Sequence, residues 1–145
     1  MEQTRYETRI DESFAESVVA AARTSVGDDL RSVVYFTPAA FDVLYVRSDL
    51  YEGPAAARPA KAGLVEFERA GFAERRERSA LSARGASPTV GPYEFTVRFH
   101  ADGFVVRVLT ATAGVLLTVD SVDVAAFEDA VAAIRGFLED DGDSQ

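Results

Sequence analysis

The chain has 145 residues and a mass of 15.6 kDa, with 48% apolar residues, ten glycines and five prolines, the size and composition of one compact domain rather than a disordered or collagen-like chain. It contains no cysteine, which excludes disulfides, thiolate chemistry and cysteine-based metal sites. A formal charge of −9, from 24 acidic against 15 basic side chains, sets the molecule as a whole against nucleic-acid backbones and anionic membranes.

From Asp11 the pattern is helical. Phe14, Val18, Val19 and Ala22 share one stripe, Asp11 or Ser13 can cap the start, and Gly27 follows the end, so a first helix is predicted over about 11 to 25. The β-branched and aromatic runs Ser32–Thr37 and Phe41–Arg47 flank Pro38-Ala39-Ala40 and read as a hairpin, with both faces of the second strand apolar enough to be covered. Residues 53–60 interrupt extended structure and offer Pro59 as a first helical residue. A second helix is predicted from Ala60 to Ala80, with Leu64, Val65, Phe67 and Phe72 as its apolar set, Glu74 and Arg78 at the favourable spacing of four, and Gly63 and Gly71 weakening it.

Residues 82–92 have the composition of a surface loop within the domain. The strictest alternation follows: Tyr93, Phe95, Val97 and Phe99 against Glu94, Thr96, Arg98 and His100, then the turn Ala101-Asp102-Gly103 and the return strand Phe104–Leu109. Val115–Val119 completes a three-stranded meander. Asp120 or Ser121 is then expected to cap a helix whose stripe runs Val124, Phe127, Val131, Ile134 and Leu138. Glu139 to Gln145 reads as a frayed acidic tail.

The order helix, two strands, helix, three strands, helix implies an α+β domain: a five-stranded antiparallel sheet with three helices packed on it, α-β-β-α-β-β-β-α. In this order and size the chain resembles the roadblock group and, more loosely, profilin-like and longin-like domains. The run SVVYFTPAAFDVLYVRSDLYEG and the composition are similar to those of small uncharacterised haloarchaeal proteins. The roadblock likeness implies a non-catalytic homodimer, built by adding sheet edges or pairing helices, that regulates a small GTPase or scaffolds a complex.

Lys61 is the only lysine; the other fourteen basic residues are arginine, and alanine supplies 24 positions. An acidic, lysine-poor surface is the mix that stays hydrated in concentrated salt, so a salt-adapted protein is expected, although GC-rich coding produces a similar bias. In molar salt the Debye length is about 3 Å, which nearly abolishes repulsion among excess carboxylates. The melting temperature is therefore expected to rise from dilute to molar KCl, and a flat series would refute salt adaptation. The charged first thirteen residues lack the apolar run of a signal peptide, and no window approaches the length of a membrane span. A cytoplasmic location is expected.

Candidate site residues are few. His100 is the only histidine, so a catalytic triad would have to use it, yet turn polarity at the end of a strand explains it equally. Arg98 and Arg107 fall on neighbouring strands across the turn and, with Glu94, on one face. They read either as a bidentate site for a carboxylate or phosphate, or as a ladder neutralised by Glu94 or another acid. Arg75, Arg76, Arg78 and Arg84 form the one basic concentration, a solvated helix face or a contact for an acidic protein. The pairs Asp28–Asp29 and Asp120–Asp123, and Asp140, Asp141 and Asp143, read more simply as caps and dipole partners than as cation ligands. No phosphate-binding glycine motif is present, and no cofactor or metal is expected. The resulting expectation is a dimeric, non-catalytic protein-interaction module. Its alternative is a small-molecule or anion sensor whose ligand lies among Tyr35, Tyr45, Phe95 and Phe99, and an enzyme is the third reading.

Overall fold

A computed structural model describes residues 6–86 and 88–143, with side chains described through Asp140. It has the α+β architecture expected. Helix α1 (Glu12–Val26) begins at Asp11, whose carboxylate accepts the Phe14 N–H at 2.7 Å, and ends where Gly27 turns to a φ of 73°. That φ is in the left-handed region, where glycine carries no Cβ penalty. Strands β1 (Leu30–Phe36) and β2 (Phe41–Val46) form the first hairpin, and β3 (Thr96–His100), β4 (Gly103–Leu109) and β5 (Gly114–Val119) form the meander. β1 pairs antiparallel with β5, giving the order β2-β1-β5-β4-β3. The first hairpin thus joins the last strand of the meander, and β2 and β3 are the edges.

The helical segment expected as one piece is two: α2 (Pro54–Glu68) and α3 (Ala70–Ala83), meeting at Arg69. Pro54, not Pro59, is the first helical residue; Pro59 lies inside α2. At the junction Phe72 N–H donates to the Arg69 carbonyl, a tight i to i+3 bond, while Arg69 Nε donates to the Thr37 carbonyl at 3.0 Å. Helix α4 (Val124–Asp143) is capped by Asp123, whose carboxylate accepts the Ala126 N–H at 3.1 Å, rather than by Asp120 or Ser121. Val124 is exposed, so the buried stripe starts at Phe127. The expected frayed tail is helical to Asp143, and residues 144–145 lie outside the described residues.

Because side chains alternate along a strand, the sheet has two faces to bury. Val33, Tyr35, Val106, Val108, Val115 and Leu117 meet α1 and α4, with Val18, Phe127, Val131 and Ile134 among the residues that cover them. Val34, Phe36, Val105, Leu109 and Leu116 meet α2 and α3 through Ala57, Val65 and Phe72. Among the described residues no helix is long and apolar enough to cross a membrane.

Candidate functional site

The meander end of the sheet gathers most of the side chains singled out above. On β3, Thr96, Arg98 and His100 point to the α2/α3 face, while Val97 and Phe99 point to the other. Thr96 stands opposite Arg107 and Arg98 opposite Val105, so the two arginines are diagonal neighbours on one face, as the spacing predicts. Between them lies Glu68, the last residue of α2, fully buried. Arg98 Nε donates to one Glu68 oxygen at 2.6 Å and Arg107 Nη1 to the other at 3.0 Å. Arg107 Nη2 donates to Glu74 of α3 at 2.9 Å and to the Thr96 hydroxyl at 3.1 Å.

Arg107 is 1% exposed and sits in the middle of an otherwise apolar central strand. Burial lowers its pKa, but hydrogen bonds involving Tyr93 and Glu74 and the charge of Glu68 outweigh that, leaving it raised. The two guanidiniums are therefore held by acids of this chain, and the acids are Glu68 and Glu74, not Glu94. Glu94 precedes β3 and instead approaches Arg135 of α4, its carboxylate at 3.6 Å and its carbonyl accepting from Arg135 Nη2. Gly71 makes the cluster possible. A Cβ there would lie 2.5 Å from Leu109 Cδ1 and 2.7 Å from Arg107 Cζ, so only glycine lets α3 approach the sheet this closely.

The expected Glu74–Arg78 helical pair does not form, because the buried Arg107 takes Glu74. Arg78 instead stacks on the Tyr93 ring at 3.7 Å, and the Tyr93 hydroxyl shares a 2.5 Å hydrogen bond with Thr96. Arg75 and Arg78 of α3 line a groove of about 530 Å³ with Ser79, Leu81, Pro92 and Tyr93. Arg76 is exposed outside that lining.

His100 is exposed and borders a separate pocket with Arg31, Lys61 and Asp102. Tyr35 is buried edge-on to Phe14 at 5.5 Å, Tyr45 and Phe95 pack partly against the α1/α4 core, and Phe99 is exposed, so these four aromatics do not enclose a common cavity. Asp120 is a partner of arginines: Arg31 Nη1 donates to it at 2.9 Å and Arg47 Nη1 at 2.6 Å. Hydrogen bonds from Arg47 and then Arg31 hold its carboxyl below the usual range, against the opposing effect of burial. Asp29 accepts from Ser121, and no group of three His, Cys, Asp or Glu side chains among the described residues is placed to hold a metal ion.

A further exposed feature is the β3 edge itself. Among the described residues its outer side has no partner strand, Phe99 is 75% exposed on one flank, and Phe67 of α2 is 62% exposed on the other with Arg98 4.9 Å above its ring. The opposite edge strand, β2, is tied to the start of the described chain: buried Asp42 accepts from the Glu7 and Thr8 N–H groups at 2.9 and 2.8 Å and from the Thr8 hydroxyl at 2.6 Å. Phe67, counted in the apolar set of this helix, is thus exposed, and its neighbour Glu68 is buried.

Residues 16–139 match the model of a family described as a domain of unknown function (DUF7522). The chain belongs to that family. The DUF7522 match runs from the second turn of α1 to the last turns of α4, and so includes all five strands, the Glu68 cluster and the β3 edge. No curated protein and no solved structure matches the chain significantly.

Proposed function

We propose that this DUF7522 chain is a non-catalytic protein-interaction module that works as a homodimer, an adaptor or regulator of the roadblock kind in a salt-adapted cytoplasm. The observation that carries the reading is the open β3 edge bracketed by Phe99 and Phe67. An edge of unpaired backbone groups flanked by exposed aromatic rings is suited to strand addition, in which main-chain bonds give affinity and side chains on either face give register. Joining β3 to its copy across a two-fold axis would make one continuous sheet and cover both rings. The element order and the acidic, lysine-poor composition support the roadblock-like and salt-adapted parts of the reading. Two chains of charge −9 repel, and molar salt screens that repulsion to about 3 Å, so association should strengthen with salt.

Sedimentation equilibrium in dilute and molar KCl tests this. The expected species in high salt has twice the 15.6 kDa chain mass. Phe99→Glu should return it to monomer, and Val122→Glu, at an exposed apolar position away from the sheet edge, should not. A 15.6 kDa species at every protein concentration removes the dimer, and a dimer indifferent to Phe99→Glu removes β3 as its seam.

A further inference from the structure

The single lysine and the single histidine of the chain meet at one place. α2 packs toward β2, and near the β3–β4 turn the α2/α3 face of the sheet is left open as a pocket of about 380 Å³. Lys61 and Leu64 of α2 form one wall, His100, Asp102 and Phe104 the other, and Val105 and Thr118 the floor, with Arg31 entering from β1. The Arg31 stem crosses Gly103: a Cβ there would stand 3.5 Å from Arg31 Cδ and 2.8 Å from the Val119 carbonyl. Thr118 and Ser32, their hydroxyls 2.5 Å apart, add polar groups to the floor beside Val105.

Lys61 is unlike the other cations here. Arg31 has Asp120, but Lys61 is half-buried and makes no ion pair with any described residue; its one neighbour of note is the Tyr51 ring at 5.9 Å. Burial lowers its pKa and the charge of Arg31 lowers it further, so an anion placed between them would relieve both effects. In a chain of charge −9, a half-buried ammonium without a carboxylate, facing a second cation and an imidazole across a cavity, marks a place prepared for an anion from outside.

We propose that this pocket binds a small organic anion. Its phosphate or carboxylate head lies against Lys61, Arg31 and His100, and its apolar part against Leu64 and Val105. Asp102, the one acidic side chain in the lining, offsets part of the positive charge and fits the pocket to a singly or doubly charged head group rather than to a polyanion. Phe99 points to the opposite face of the sheet from this pocket, so ligand binding and dimerisation can be tested apart.

The uniqueness of the two residues gives each its own signal. In protein carrying ¹³Cε-labelled lysine, the Lys61 resonance and the His100 imidazole resonances are followed while phenyl phosphate, inorganic phosphate or benzoate is titrated at fixed ionic strength. Both residues are expected to shift along one saturating curve, with phenyl phosphate tighter than inorganic phosphate, and the preferred head group is read from phenyl phosphate against benzoate. Lys61→Ala, followed through His100, should weaken binding at least about tenfold, and Lys61→Arg should retain it. Shifts that grow linearly without saturating, or binding to Lys61→Ala as tight as to the parent, overturn the site. Equal affinity for phenyl and inorganic phosphate overturns its apolar half. Repeating the titration on Phe99→Glu separates a failure here from a failure of the dimer.

Discussion

On the α1/α4 side of the sheet the central strands contribute Val33, Tyr35, Val106, Val108, Val115 and Leu117, all aliphatic or aromatic; on the α2/α3 side the same strands contribute Ser32, Arg107 and Thr118 among Val34, Val105 and Leu116. The first face is held by apolar area and shape, which are insensitive to direction. The second is held in part by directed, mutually dependent contacts, and where those end it opens into the Lys61 pocket. One face secures the fold, and the other, more demanding one carries the pocket that suggests a ligand.

Breaking each face in turn should show the difference most strongly. Phe127→Ala on the apolar side is expected to cost about 3–5 kcal/mol through lost burial and a cavity. Glu68→Ala is expected to cost about 3–5 kcal/mol for another reason, because it leaves the guanidinium of Arg107 buried and short of a counter-charge. The distinguishing result comes from replacing both partners. Glu68→Leu with Arg107→Met should recover most of the loss, since Arg98 and Glu74 reach water and the Arg107 Nε, which has no hydrogen-bond partner, disappears. Denaturant midpoints measure all three. A double variant as unstable as Glu68→Ala alone would mean that the ion cluster contributes net stability.

Glycine-to-alanine changes sharpen the same contrast at smaller scale. Gly71→Ala on the polar side drives a methyl against Leu109 and Arg107 and should destabilise by about 1–3 kcal/mol. Gly136→Ala on the outer side of α4 meets nothing within 4 Å and should stabilise by about 0.5–1 kcal/mol through helix propensity. If thermal unfolding moves both the same way, the close approach of α3 to the sheet is not a packing constraint.

The smallest effect belongs to the exposed rim. Asp120 has its folded-state pKa depressed by Arg47 and Arg31, so what the pairs contribute is present above its unfolded pKa and drains away as pH falls through the folded value. Asp120→Asn should leave a shallower acid limb below about pH 4 in a pH series of melting temperatures, with a modest change because these groups face solvent. An unchanged acid limb would mean the pairs add nothing to folding.

The strands and the ends of α1 were readable because local chemistry sets them: Asp11 and Gly27 bound α1, and the alternation of residues 93–109 gives the hairpin, whereas the start of α2, the break at Arg69 and the cap of α4 were not. Glu68 was missed although its position carried a signal. Val65, Glu68 and Phe72 keep helical spacings of three and four, so the acid lies on the buried stripe, whereas Phe67, counted as core for its apolar character, lies off it. Arg107 likewise announced burial by interrupting an apolar run. Its partners were not readable, because Glu68 and Glu74 lie 39 and 33 positions away.

Composition and periodicity, which are summed over neighbours in the chain, determined by themselves the class of fold, the order of its elements and the acidic, lysine-poor surface. Only the tertiary structure decided which charges are buried together, that Lys61 and His100 share a pocket, and that the β3 edge is left open between Phe99 and Phe67. Those outcomes depend on contacts between residues distant in sequence, and helix packing alone determines whether a given charge meets a partner, a cavity or water.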